Sequence, residues 1–148
     1  MRLAIQRVSR AEVRVDGRGP ARIGRGLLLL LGVGQGDDES CCRRLAEKTV
    51  NLRVFPDEAG RFDRSLADIR GEALVVSQFT LFGDCRKGRR PDFTGAMPPG
   101  PAQALYRAFV EELVRLGIPT RTGEFGARME VELVNDGPVT LWLDSAQL

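Results

Sequence analysis

Two short runs hold the residues whose types and spacing can do chemistry. The first is Ser77-Gln78-Phe79-Thr80-Leu81, in which two hydroxyls and an amide follow an apolar run at residues 73–76. Polar groups at the end of a buried strand can face a pocket. Backbone N–H groups left free there, with Phe79 and Thr80 as the candidates, can donate to a bound group. The second is Asn135-Asp136-Gly137-Pro138-Val139-Thr140, which sets a Gly-Pro bond between apolar runs at 129–134 and 139–143. Proline cannot donate to a strand ladder, so this bond belongs at a turn, a bulge or a sheet edge. X-Pro bonds adopt the cis form for about 0.5–1 kcal/mol, against about 2.5–4 kcal/mol for other peptide bonds.

The chain has no histidine. That excludes a Ser-His-Asp or Cys-His triad and removes the commonest metal ligand. Cys41, Cys42 and Cys85 are too few for an all-cysteine zinc site and form no disulfide framework. They read as reduced thiols. No carboxylate cluster has metal-loop spacing, so neither a metal nor a cofactor is expected. Thr80 is the most plausible nucleophile of its run, but no base lies beside it in sequence. It reads as a positioning group.

The net charge is only +2, but its distribution is uneven. Of 22 basic residues only Lys48 and Lys87 are lysines; the others are arginines, whose planar fork suits phosphate. The densest cluster is Arg86-Lys87-Gly88-Arg89-Arg90, close after the first run. It is either a solvated loop or a contact to a nucleic-acid backbone.

Behind these residues must stand elements that position them. The 148 residues suggest a single domain, 1–148, with ordinary hydrophobic and charged fractions of 43% and 28%. No apolar run approaches the roughly 20 residues of a membrane span, and residues 1–7 lack a signal-peptide core, so a cytoplasmic location is expected. Residues 1–8 and 11–15 alternate as strands, and Asp16-Gly17-Arg18-Gly19 is a turn. Residues 26–33 are nearly all apolar and read as a strand buried on both faces. The glycines at 32, 34 and 36 are not a nucleotide loop; they let the backbone turn into a helix over 40–52, capped by Asp37 or Asp38. Residues 73–81 read as the central strand and 82–101 as a long loop. The clearest helix is 103–116, stopped at Gly117, with Leu105, Phe109, Leu113 and Leu116 on one face. Residues 129–134 and 139–143 read as the last two strands. The fold class is α+β: a curved, largely antiparallel sheet with two main helices.

Both runs resemble the two signature motifs of the D-aminoacyl-tRNA deacylases, which remove D-amino acids wrongly esterified to tRNA. The resemblance extends to Gln6-Arg7-Val8-Ser9-Arg10-Ala11, to Val50-Asn51-Leu52-Arg53-Val54-Phe55, to Arg89-Arg90-Pro91-Asp92-Phe93 and to residues 122–129. It covers nearly the whole chain in the family's order.

The resemblance implies hydrolysis of the ester at the 3′ end of D-aminoacyl-tRNA, and of mischarged glycyl-tRNA. It implies catalysis around Gln78, Phe79 and Thr80, assisted by the substrate's own 2′-hydroxyl. Ser77, Gly137, Pro138 and Met129 would bind substrate, and Arg86, Lys87, Arg89 and Arg90 would meet the tRNA. It further implies a homodimer with active sites at the interface, in which one subunit's Gly137-Pro138, in the cis form, completes the other's pocket and rejects L-aminoacyl esters. Two readings of other classes stand beside it: an RNA-binding module without catalysis, and a hydrolase of small D-amino-acid esters that ignores RNA.

Overall fold

In the computed structural model, which describes residues 1–148, the chain opens with β1 (Arg2–Val15) and returns as β2 (Ala21–Ile23) and β3 (Gly26–Gly32). Next come α1 (Glu39–Asn51), a small hairpin of β4 (Phe55–Pro56) and β5 (Phe62–Arg64), and β6 (Glu72–Ser77). A 3-10 turn (Phe79–Phe82), α2 (Pro99–Arg115), β7 (Thr120–Thr122) and β8 (Met129–Asp144) complete the fold. No helix is long and apolar enough to cross a membrane.

β1 is the axis of the sheet. β2 and β3 pair antiparallel with it, end to end along one edge, and β8 pairs antiparallel along the other. β3 then takes β6, and β6 takes β7, both in parallel. The sheet is thus mostly antiparallel, with its parallel pairs on the far side.

Two strands expected over 1–8 and 11–15 are one bent strand. Its register against β8 shifts between Gln6 and Val8 and again between Val8 and Arg10. Such irregularities bend a strand and increase its twist. Before the bend, Leu3 and Ile5 join Leu27, Leu29 and Leu31 in a core covered by the helices, with Phe109 and Leu113 from α2. After it, Val8, Ala11 and Val13 join Leu28, Leu74 and Val76 in a second, smaller core. The curled sheet therefore covers both faces of β3, which accounts for its unbroken leucine run. Each fully buried leucine contributes about 1.5–3 kcal/mol.

Of the two expected caps, Asp37 and Asp38, it is Asp38 that caps α1, accepting from the Cys41 N–H at 3.1 Å. Hydrogen bonds from Ser40 and then Cys41 hold its carboxyl at about 2, below the ordinary 3.8. α2 begins at Pro99, four residues before the expected start at Gln103. Prolines 98, 99 and 101 read as loop, yet proline suits a first helical turn, whose N–H groups need no internal partner.

Candidate functional site

A cleft of about 760 Å³ opens where β3 and β6 end. Ser77, Gln78, Phe79 and Met129 all line it, so four of the expected site residues come together. Its remaining walls are largely apolar and include Met97, Ala102, Phe125 and Val131.

The strand expected to run to Leu81 stops at Ser77. Leu31↔Ser77 is the last pair with β3, and β7 has already ended opposite Val75. The Gln78 N–H still reaches the Leu31 carbonyl at 2.8 Å, but beyond it no ladder keeps the backbone extended. The chain coils instead, with Leu81 N–H donating to the Gln78 carbonyl at 3.2 Å. A 3-10 turn leaves its first N–H groups without internal partners, and here those belong to Phe79 and Thr80. Gly32 makes room for this turn: a Cβ there would lie 2.9 Å from the Gln78 carbonyl oxygen and 3.1 Å from Leu81 Cβ. The glycines that end and follow β3 thus serve two ends, since Gly36, at φ +84°, does turn the chain towards α1.

The turn is held from below by Arg2. Its Nη1 donates to the Leu81 carbonyl at 2.9 Å, its guanidinium lies 4.4 Å from the Phe82 ring centre, and Asp144 anchors it at 3.1 Å. Phe79 is exposed and meets Phe93 edge-on, with ring centres 5.0 Å apart. Thr80 is exposed as well, and its hydroxyl contacts the Gln78 side-chain amide. An amide N–H donates and cannot take a proton, so the structure adds no base beside Thr80.

Thr80, Gly137 and Pro138 are absent from the lining of this cleft. The two strands expected around Gly137-Pro138 are one strand, β8, interrupted by a bulge. Val8 pairs with Asn135 and Gln6 with Thr140, so four residues of β8 stand opposite Arg7 alone. The Gly137-Pro138 bond in this bulge is cis. Asn135 ties the bulge to both neighbours, donating to the Arg7 carbonyl at 2.9 Å and the Val139 carbonyl at 3.1 Å.

Arg7, quoted in the sequence only as part of the first strand, proves central. It is 6% exposed. Its Nε donates to the Asp136 carbonyl at 3.0 Å and lies 3.3 Å from the Asp136 carboxylate, while Nη1 donates to the Val54 carbonyl. The Phe62 ring centre lies 5.3 Å from its guanidinium. Gly137 has φ +126°, and a Cβ there would collide with the Arg7 guanidinium. The signal was in the alternation: Leu3, Ile5 and Arg7 fall on the same face by period two.

The basic run lies on a loop closed by mutual hydrogen bonds between Asp84 and Asp92, at 2.7 and 2.9 Å. Arg86 folds back on Asp84 through several bonds, the shortest 2.6 Å, and holds that carboxyl at about 2. Lys87, Arg89 and Arg90 are exposed and join no ion pair. Cys85 is exposed, whereas Cys41 and Cys42 are buried on α1, where burial pushes the Cys42 thiol up to about 12.

Behind the cleft, Tyr106 donates to the Val75 carbonyl at 2.9 Å, and burial pushes its hydroxyl well above the ordinary range. Its ring centre lies 5.7 Å from that of Phe125. A second cavity, of about 560 Å³, shares these two residues with the cleft.

The chain is similar to known proteins in both sequence and fold. The profile of the D-Tyr-tRNA(Tyr) deacylase family matches residues 4–144. A D-aminoacyl-tRNA deacylase of Roseiflexus castenholzii is 64% identical, over 99% of this chain and 93% of that protein. One of Thermomicrobium roseum is 58% identical, over 100% of this chain and 96% of that protein. Among solved structures, a c-Myc DNA unwinding element binding protein superposes with a TM-score of 0.91 at 43% identity, covering 97% of this chain and 98% of that one.

Proposed function

The chain belongs to the D-Tyr-tRNA(Tyr) deacylase family and is an ester hydrolase of the D-aminoacyl-tRNA deacylase class; on that premise we propose how its residues release free tRNA and the D-amino acid. The cleft takes the esterified 3′ adenosine. The N–H groups of Phe79 and Thr80 receive the developing oxyanion, and one such donor contributes about 2.7–4 kcal/mol in a comparable site. Gln78, Ser77 and Met129 position the ester. Thr80 orients rather than attacks, because nothing within reach of its hydroxyl accepts a proton. The substrate's 2′-hydroxyl supplies the assistance that a histidine gives elsewhere. The observation that carries this reading is the unpartnered N–H of Phe79 at the polar end of a largely apolar cleft, with that of Thr80 next to it in the same turn.

Chirality is read by backbone. D and L esters share every group, so rejection needs a rigid obstacle where only the L side chain points. Gly137 and Pro138 supply it, held by Arg7, and glycyl esters, having no side chain, pass. Since this bulge does not line its own protomer's cleft, it acts in the cleft of a second copy. Two features support such a homodimer. The outer edge of β8 has no strand partner, and Val131, Val134 and Trp142 on that strand are exposed, Trp142 by 49%. A self-complementary two-fold contact would bury well over roughly 1,000 Å². Lys87, Arg89 and Arg90, with Arg86 once released from Asp84, meet the tRNA backbone, and the protein works in the cytoplasm.

Hydrolysis of D- and L-tyrosyl-tRNA tests the reading, with D-tyrosine methyl ester as a control. D-tyrosyl-tRNA is hydrolysed and the L ester spared. Rapid loss of the L ester removes the filter, and preference for the methyl ester makes the enzyme a small-ester hydrolase. Light scattering of wild type and Trp142→Glu tests the dimer, since a fully active monomer contradicts it.

A further inference from the structure

The wall of Tyr106 and Phe125 has a cavity on each side, and the reaction above uses only one. The unused cavity lies between α2 and the β1–β2 hairpin. Gln103, Arg107, Val110 and Glu111 line it from α2, at positions i, i+4, i+7 and i+8, and so on one helix face. Val13, Val15 and Ala21 give it an apolar side. At its rim Arg18 pairs with Glu124 at 3.2 Å.

Arg107 and Glu111 stand one helical turn apart, yet neither joins an ion pair; the pair within α2 is Arg115 with Glu112. A free guanidinium, a free carboxylate and an apolar side together suit a ligand with three parts: an anion, a flat ring and a hydrogen-bond donor on the ring's edge. A nucleotide whose base carries an exocyclic amine has all three.

We infer that this cavity receives the cytidine that precedes the esterified 3′ adenosine of tRNA. The inference rests on the reading that the cleft takes that adenosine. Continuity favours this occupant, because a single strand leaving the cleft passes one pair of rings to enter the second cavity. Chemistry favours it too. Arg107 meets the intervening phosphate. The base lies against Val110 and Val13, and Glu111 accepts from the cytosine amine, where uracil offers only a carbonyl. Glu124 does not repel the strand, since Arg18 already neutralises it.

The test measures kcat/KM on the 3′ D-tyrosyl esters of adenosine, CpA and UpA, with D-tyrosyl-tRNA as reference. It is repeated with the charge-swapped Arg107→Glu/Glu111→Arg protein. CpA should exceed adenosine by about tenfold or more, the size of one base contact, and UpA should fall short of CpA. The swap should bring the CpA-to-adenosine ratio close to unity. A wild-type ratio near unity, equal rates on CpA and UpA, or a ratio untouched by the swap overturns the inference and leaves the proposed function standing. Failure to hydrolyse D-tyrosyl-tRNA overturns both.

Discussion

Replacing Arg7 with lysine keeps the charge and removes the fork. The guanidinium satisfies two carbonyls at once, those of Asp136 and Val54. A lysine ammonium, a compact point charge on a flexible stem, loses the planar geometry that spans both. One carbonyl is then left without its donor, at a cost of about 1–3 kcal/mol. Loss of the guanidinium over Phe62 adds about 0.5–1 kcal/mol. The Asp136 carboxylate contributes little more, because it is 39% exposed and solvent screens it. The sum is about 1.5–4 kcal/mol. At roughly 2–4 °C per kcal/mol for a domain of this size, the midpoint should fall by about 3–16 °C. Circular dichroism melts and urea titrations measure this, with an unchanged urea slope marking a change in stability alone. A second readout separates a local role from a merely structural one. Asp136 adjoins Gly137, so the preference for D- over L-tyrosyl-tRNA should fall at temperatures where the variant is fully folded. A variant that melts with the wild type and keeps its preference would show that the fork does not hold the bulge.

Thr80→Ala should retain activity, losing far less than the roughly 10⁴-fold seen when an activated nucleophile is removed; isolation of an acyl-Thr80 intermediate would refute the positioning role. Arg89→Ala/Arg90→Ala should weaken tRNA binding and flatten its salt dependence by about one unit for each lost phosphate contact, and identical salt series would return the loop to solvent. Asp38→Asn should flatten the acid limb of the stability curve. The folded carboxyl is held at about 2, below the ordinary 3.8, so its stabilisation is present above the unfolded value and is lost as pH falls through the folded one. Acid titrations that superpose for the two proteins would discount the cap.

The elements that alternate or repeat cleanly were legible before any coordinates. The leucine run of β3 announced burial on both faces, and the Asp37-Asp38 pair announced the start of α1. The candidate site was readable as two runs of residues, but not as an arrangement. Nothing local in Phe79-Thr80-Leu81 says that the strand must stop at Ser77; that follows from where β3 and β7 end, which is a tertiary fact. The same holds for residues 135–139. Gly-Pro between two apolar runs reads as a junction of two strands, whereas continuous pairing with β1 on both sides makes it a bulge within one. Arg7 was overlooked because a charge in a strand reads as an outward residue, although its place in the alternation pointed inward.

The bent first strand has a consequence for synthesis. Its pairing with β8 runs from Arg2↔Asp144 to Val15↔Met129, so its long edge is closed by residues translated more than 100 positions later. At about 5–20 residues per second, that partner emerges roughly 6–28 s after the strand it must cover. During this interval Leu3, Ile5 and Val8 can pair with β3 on one side only, and the other side is an open template for any neighbouring chain. Closing so long a loop is slow compared with local contacts. The nascent chain therefore meets its greatest risk of adhesion on the ribosome. Truncation within β8 would make that transient exposure permanent, even though every residue of the turn at 79–82 had already been made.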